Sequence, residues 1–260
     1  MDDPVAVVIA PGVEVTDELA QRAAAVLGRD LYHARRLLAS NLPGIAARQV
    51  DPREAEDTVR RLEALGLVSF TCRDEELQKP LDLFRARTLA FADDAIVFED
   101  ENARAVRLAA NDVSLLIKGI RKNPVRKEVV RKSKRLSVMG MLLTGGIPIR
   151  KTVEERTTET TTRDERFLRL FDKTSADFCI EIRQNGFNYA CLGPDMAPSS
   201  LRNIDLLAGK MKEFFPAATC DDGLAAPSRA SAAPASRRDD IDVTCRLIYL
   251  CRVMQRHGAD

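Results

Sequence analysis

The alternation of apolar and polar positions changes character along this chain. Residues 5–72 mix short apolar runs with helical spacing, residues 88–191 follow the two-residue period of strands, and helical spacing returns after residue 199. Ala6-Val7-Val8-Ile9, stopped by Pro11-Gly12, reads as a short strand. Thr16 caps a helix running to about Leu27, with Leu19, Ala23 and Val26 on one side. A second helix, about Asp30 to Ala39, aligns Leu31, Ala34, Leu37 and Leu38. After Pro43-Gly44 comes the clearest boundary, Asp51-Pro52-Arg53-Glu54: an N-cap acceptor, a proline suited to the first helical position, and a glutamate placed for a capping box. That helix carries Ala55, Val59, Leu62 and Leu65 and stops at Gly66, where a left-handed residue is wanted. Val68-Ser69-Phe70 closes a small α/β domain, residues 1–72, with the order strand, two helices, helix, strand.

Residues 73–86 read as a charged connector, and a second domain is expected over 87–216. Thr88–Phe91, Ala95–Glu99, Arg104–Ala109 and Val113–Ile117 alternate as strands, the first three joined by turns at Asp93-Asp94 and Glu101-Asn102. Further strands are expected at Ile149–Thr160, Phe167–Phe171, Phe178–Arg183 and Phe187–Cys191. The last two would be joined at Gln184-Asn185-Gly186, because Asn and Gly tolerate positive φ. A helix capped by Ser199 or Ser200 then repeats Leu201, Ile204, Leu207, Met211 and Phe214-Phe215. The fold class expected is α+β: a small α/β sandwich followed by an antiparallel β barrel or sandwich closed by one helix. Residues 217–240 are Ala, Ser, Pro and charge, the composition of a flexible linker. A tail helix, 241–260, shows a broad apolar face of Leu247, Ile248, Leu250, Cys251 and Met254, which must pack on this chain or on a partner.

The first domain resembles the C-terminal domain of the bacterial ribosomal stalk protein. The resemblance is carried by Leu31-Tyr32-His33-Ala34-Arg35-Arg36-Leu37-Leu38, by Pro43, by Val50-Asp51-Pro52-Arg53-Glu54-Ala55 and by Leu62-Glu63-Ala64-Leu65-Gly66, about a quarter of the chain. In that family a basic face on the first two helices contacts translation factors, and Arg35 falls on one such position. Ala20, Gln21 and Ala24 stand where other contact residues belong. Strands followed by one amphipathic helix, in the second domain, resemble pleckstrin-homology-like bacterial domains in element order alone.

Charge and composition narrow the partners. Forty Lys+Arg against thirty-nine Asp+Glu leave a net +1, which disfavours a generally basic nucleic-acid coat. Aromatics at 5% with no Trp disfavour a reader of single strands by stacking. The cysteines Cys72, Cys179, Cys191, Cys220, Cys245 and Cys251 form no CxxC pair, so a zinc knuckle or thioredoxin-type motif is not expected. With no basic leader and no stretch of spanning length, the expectation is a cytoplasmic protein with reduced thiols.

The sharpest charge feature is a basic run: Lys118, Arg121, Lys122, Arg126, Lys127, Arg131, Lys132, Lys134 and Arg135, against Glu128 alone. It reads as an anion or lipid-headgroup site, or as a solvated loop or strand face. The adjacent Val138–Ile149 segment is apolar and broken by glycines, suited to a peripheral membrane contact or to a buried turn; it lacks the Gly-Lys-Ser/Thr ending of a phosphate loop. Thr152–Thr162 reads as an exposed edge strand. His33 and His257 are the only histidines and neither has a nucleophile nearby in the sequence, so no catalytic residue, cofactor or metal is expected. The function expected is that of a non-catalytic adaptor, with Arg22, Arg29, Arg35 and Arg36 facing a protein partner and self-association possible through the tail helix. The alternative is binding to an anionic membrane through the basic run.

Overall fold

A computed structural model describes residues 3–136, 150–225 and 238–257. The fold is α+β, with sheets of three, five and three strands; no sheet closes into a barrel among the described residues. The chain falls into two compact units, Met1–Arg121 with Glu165–Asp260, and Lys122–Asp164.

The first sheet holds β1 (Val5–Ile9), β2 (Gly44–Gln49) and β3 (Ser69–Arg73) in the order β2-β1-β3, all antiparallel. Helices α1 (Asp17–Leu27), α2 (Leu31–Leu38) and α3 (Pro52–Glu63) cover one side of it. Their starts follow the sequence closely. Thr16 Oγ1 accepts from Leu19 N at 3.1 Å, Asp30 from His33 N at 2.8 Å, and Asp51 from Arg53 N at 2.8 Å. Alternate residues of β1 divide between two cores. Val7 and Ile9 pack with Ala23, Leu38, Ala55 and Leu62, while Ala6 and Val8 pack with Phe70 and Leu77 on the other side.

Strand β2 was not anticipated, because Pro43-Gly44 reads as a break and Ala46-Ala47 carry little strand propensity; pairing with β1 supplies what the local sequence lacks. The expected connector likewise contains α4 (Asp74–Gln78) and β4 (Asp82–Ala86). Strands β5 (Thr88–Phe91), β6 (Ala95–Glu99) and β7 (Ala105–Ala109) form the antiparallel meander read from the sequence.

The five-stranded sheet runs β11-β8-β9-β10-β4, with β8 (Val113–Leu136), β9 (Arg150–Asp172), β10 (Phe178–Arg183) and β11 (Thr219–Leu224). It is mixed: β4 is parallel to β10 and β11 to β8. Strand β8 runs far beyond the expected Val113–Ile117, and β9 joins two segments expected to be separate. Strand β11 lies inside the expected linker; residues 226–237 of that linker lie outside the described residues. The expected strand Phe187–Cys191 is instead entered by a 3-10 segment, Tyr189–Asp195. Its backbone turns because Gly186 and Gly193 sit at φ 82° and 55° and Asn188 caps Ala190 N at 3.0 Å. Its first partner is β4's end, where Asn188 N donates to the Arg87 carbonyl at 2.7 Å.

Helix α5 (Ser200–Phe214) covers one face of the large sheet, packing Ile204, Leu207 and Met211 on Leu116, Leu168, Leu170, Ile180 and Ile182. Helix α6 (Arg238–His257) covers the other face with Ile241, Cys245, Ile248 and Tyr249 against Leu115, Ile117, Phe171 and Cys179. The same helix turns Leu247 and Cys251 onto Ala6, Val8, Phe70 and Leu77 of the first sheet. Leu247, Ile248, Leu250 and Cys251 of the tail helix's apolar face therefore pack within this chain, between two sheets, and the Met254 side chain lies outside the described residues. Each buried aliphatic side chain of α6 is worth roughly 1.5–3 kcal/mol relative to exposure.

Candidate functional site: a buried charge cluster under helix α6

The α6-facing side of the large sheet is not wholly apolar. Strand pairing sets Glu181 of β10 opposite Arg169 of β9 and Arg85 of β4. Arg169 and Glu181 are 2% and 1% exposed. Arg169 Nε and Nη2 both donate to Glu181 Oε2, at 3.0 and 2.7 Å, and Nη2 also donates to Asp242 Oδ1 of α6 at 2.6 Å. The guanidinium stacks over the Phe167 ring, 5.3 Å from its centre. Arg183 Nε donates to the other oxygen, Glu181 Oε1, at 2.6 Å, and Arg85 and Arg121 stand 3.8 and 3.9 Å from that same atom. Four guanidiniums thus gather on one carboxylate.

The electrostatics follow from this crowding. Burial opposes ionisation of Glu181, but Arg169 and Arg183 overcome it and hold its carboxyl below the ordinary glutamate value. Burial also opposes the Arg169 charge, and the facing carboxylates Glu181 and Asp242 support it, so its pKa is raised. Arg121 is only partly compensated: burial, then the like charge of Arg183, lower its pKa, while Glu181 and Glu165 act the other way. Arg121 Nε, Arg169 Nη1 and Arg183 Nη2 are buried without a hydrogen-bond partner among the described residues.

A second buried arginine fixes the other side of α6. Arg246 Nη1 donates to the carbonyls of Glu76 at 2.8 Å, Leu77 at 3.0 Å and Lys79, capping the carboxyl end of α4, and Nη2 reaches Asp177 at 3.2 Å.

The basic run does not form one surface in the described part. Lys118 ion-pairs with Asp205 of α5 at 3.5 Å, and Arg166 pairs with the same carboxylate. Both line a cleft of about 180 Å³ with Ile204 and Leu168. Arg121, at the opposite strand parity, belongs to the Glu181 cluster instead. Lys122 is exposed. Arg126, Lys127, Arg131, Lys132, Lys134 and Arg135 all fall on β8. The Val138–Ile149 segment lies outside the described residues.

The arginines expected to face a protein are exposed on or beside the α1–α2 pair. Arg22 lies 3.9 Å from Glu18, Arg35 is bonded to Asp17, and Tyr32 next to them is 66% exposed. His33 Nδ1 contacts Asp30 at 2.6 Å on the surface. The thiols are pushed up by burial, Cys245 to about 11 and both Cys72 and Cys251 to about 12; Cys179 moves the same way. Among the described residues no group of three or more His, Cys, Asp or Glu is placed to hold a metal, and no helix is long and apolar enough to cross a membrane.

The sequence reading missed Arg169, Glu181, Arg183, Asp242 and Arg246. The only available signal was charge at alternate positions within two otherwise apolar strands, Phe167–Phe171 and Phe178–Arg183. Compared with known protein families, with curated proteins and with solved structures, the chain matches none of them.

Proposed function

We propose that this chain is a non-catalytic interaction protein that engages an anionic membrane surface through strand β8. The observation that carries the reading is the length of that strand, Val113–Leu136, which sets the basic run on continuous β backbone. The fifteen residues Lys122–Leu136 span about 50 Å at roughly 3.3 Å per residue. They carry Lys or Arg at both strand parities with Glu128 as the sole acid. The apolar Val138–Ile149 segment follows directly in sequence. Basic residues near an anionic bilayer are worth about 1 kcal/mol each, so a run of this density supports measurable attachment.

Co-sedimentation with phosphatidylserine-containing vesicles tests it. Binding is expected to weaken as salt rises, because the attraction is screened. Replacing Arg131, Lys132 and Lys134 by Glu is expected to abolish it. Equal binding to neutral vesicles, or an unaffected triple variant, sinks the reading.

A second reading, docking of a protein on the α1–α2 pair, is favoured by the exposure of Arg22, Arg29 and Arg36 beside Tyr32, and by the resemblance of residues 31–66 to the stalk domain. Glu at those three arginines is expected to remove a co-purifying partner that the β8 triple variant retains.

A further inference from the structure

We propose that the cleft between β8, β9 and α5 is a binding site for a small organic monocarboxylate with an apolar body. Each of the three elements gives it one apolar and one charged side chain: Ile120 and Lys118 from β8, Leu168 and Arg166 from β9, Ile204 and Asp205 from α5. On the strands the two members of each pair are two residues apart, and so share the side on which Leu168 packs against Ile204. Leu168 and Ile204 are each 1% exposed, whereas the Lys118, Arg166 and Asp205 side chains are 37%, 36% and 41% exposed. The cleft thus has an apolar inner wall and a charged mouth open to solvent.

Two cations at the mouth share one acid. Asp205 bonds to Arg166 and stands 3.5 Å from Lys118, and it is the one acid lining the cleft among the described residues. The lining therefore carries one net positive charge. Asp205 takes a single corner of the Arg166 guanidinium, Nη1. A guanidinium presents five N–H donors in a planar fork, so a second carboxylate can bond to it beside the first. One added negative charge balances the mouth, which favours a monoanion over a dianion.

Size sets the body of the ligand. The cleft measures about 180 Å³. A cavity of roughly 150 Å³ lined by Leu, Ile and Phe accepts benzene, so the space suits an apolar body of about six carbons. Apolar walls with a few polar groups at one end are the ordinary make-up of a small-ligand site, the polar end fixing the orientation. Here the carboxylate would lie outward on Lys118 and Arg166, and the body inward on Leu168 and Ile204. This site is independent of the β8 membrane reading, which rests on Lys122–Leu136.

Saturation-transfer NMR of the full chain, titrated with sodium benzoate and with sodium hexanoate at constant ionic strength, tests the proposal. Saturable binding of at least one is expected, and which of them binds tells a ring from a short chain as the body. Acetate lacks the body and benzyl alcohol lacks the charge, so each is expected to bind about tenfold more weakly or not at all. K118M and R166M are expected to weaken binding about tenfold or more. Methionine keeps much of the apolar stem of lysine, which makes K118M the variant that keeps the fold. D205N is expected to tighten binding severalfold, because it frees both cations for the ligand; a merely structural Lys–Asp–Arg triad gives no such gain. The R131E/K132E/K134E variant is expected to bind benzoate or hexanoate as the native chain does, which separates this site from the β8 surface. No saturable binding of either acid, equal binding of acetate or benzyl alcohol, or binding unchanged in both K118M and R166M overturns the proposal.

Discussion

Glu181 is the residue on which the cluster turns. Removing its charge takes away the main counter-charge of the buried Arg169 and the half-buried Arg183, a loss of about 3–5 kcal/mol for a broken buried pair. E181Q is therefore expected to lower the urea midpoint of unfolding by a corresponding amount. The pH dependence has a definite sign. Its folded pKa lies below the ordinary 4.5, so its contribution is complete above that value and disappears as pH falls through the folded pKa. Unfolding midpoints measured below about pH 4.5 are expected to drop steeply in the native chain and less steeply in E181Q. None of this was legible residue by residue. Arg169 and Asp242 are 73 positions apart, and only the β9–β10 register and the docking of α6 bring them to one place.

At the scale of elements, what the sequence showed was what local chemistry decides. The caps Thr16 and Asp51 and the apolar faces of α1, α3 and α5 were all readable, because each rests on residues within one or two turns. Strands β2, β4 and β11 were not, since their pairing partners lie far along the chain and their own residues are small or charged. Close packing adds a constraint no periodicity reveals. A Cβ on Gly119 of β8 would lie 2.2 Å from Cζ of the buried Phe167 on neighbouring β9. G119A is expected to cost about 1–3 kcal/mol through overpacking. Adding F167L is expected to recover part of that loss, a non-additivity that chemical denaturation of the single and double variants measures.

For the whole molecule, α6 is the organising piece. It is last in the sequence, yet it packs on β1, β3 and α4 with one set of residues and on the five-stranded sheet with another. The sequence supplied its apolar face and left its target open. Truncation before Arg238 is expected to expose both sheet faces, raise binding of a hydrophobic dye and replace cooperative unfolding by a broad transition. A truncated chain that still unfolds cooperatively at the native midpoint would contradict this placement.

The position of Arg246 carries a consequence for synthesis. The carbonyls of Glu76, Leu77 and Lys79 wait for a guanidinium encoded some 170 residues later. Ribosomes deliver chains from the amino end at about 5–20 residues per second, so those oxygens and the greasy strands beside them stay bare for many seconds. The face of the amino-terminal sheet that carries Ala6, Val8 and Phe70 completes its packing only when α6 arrives.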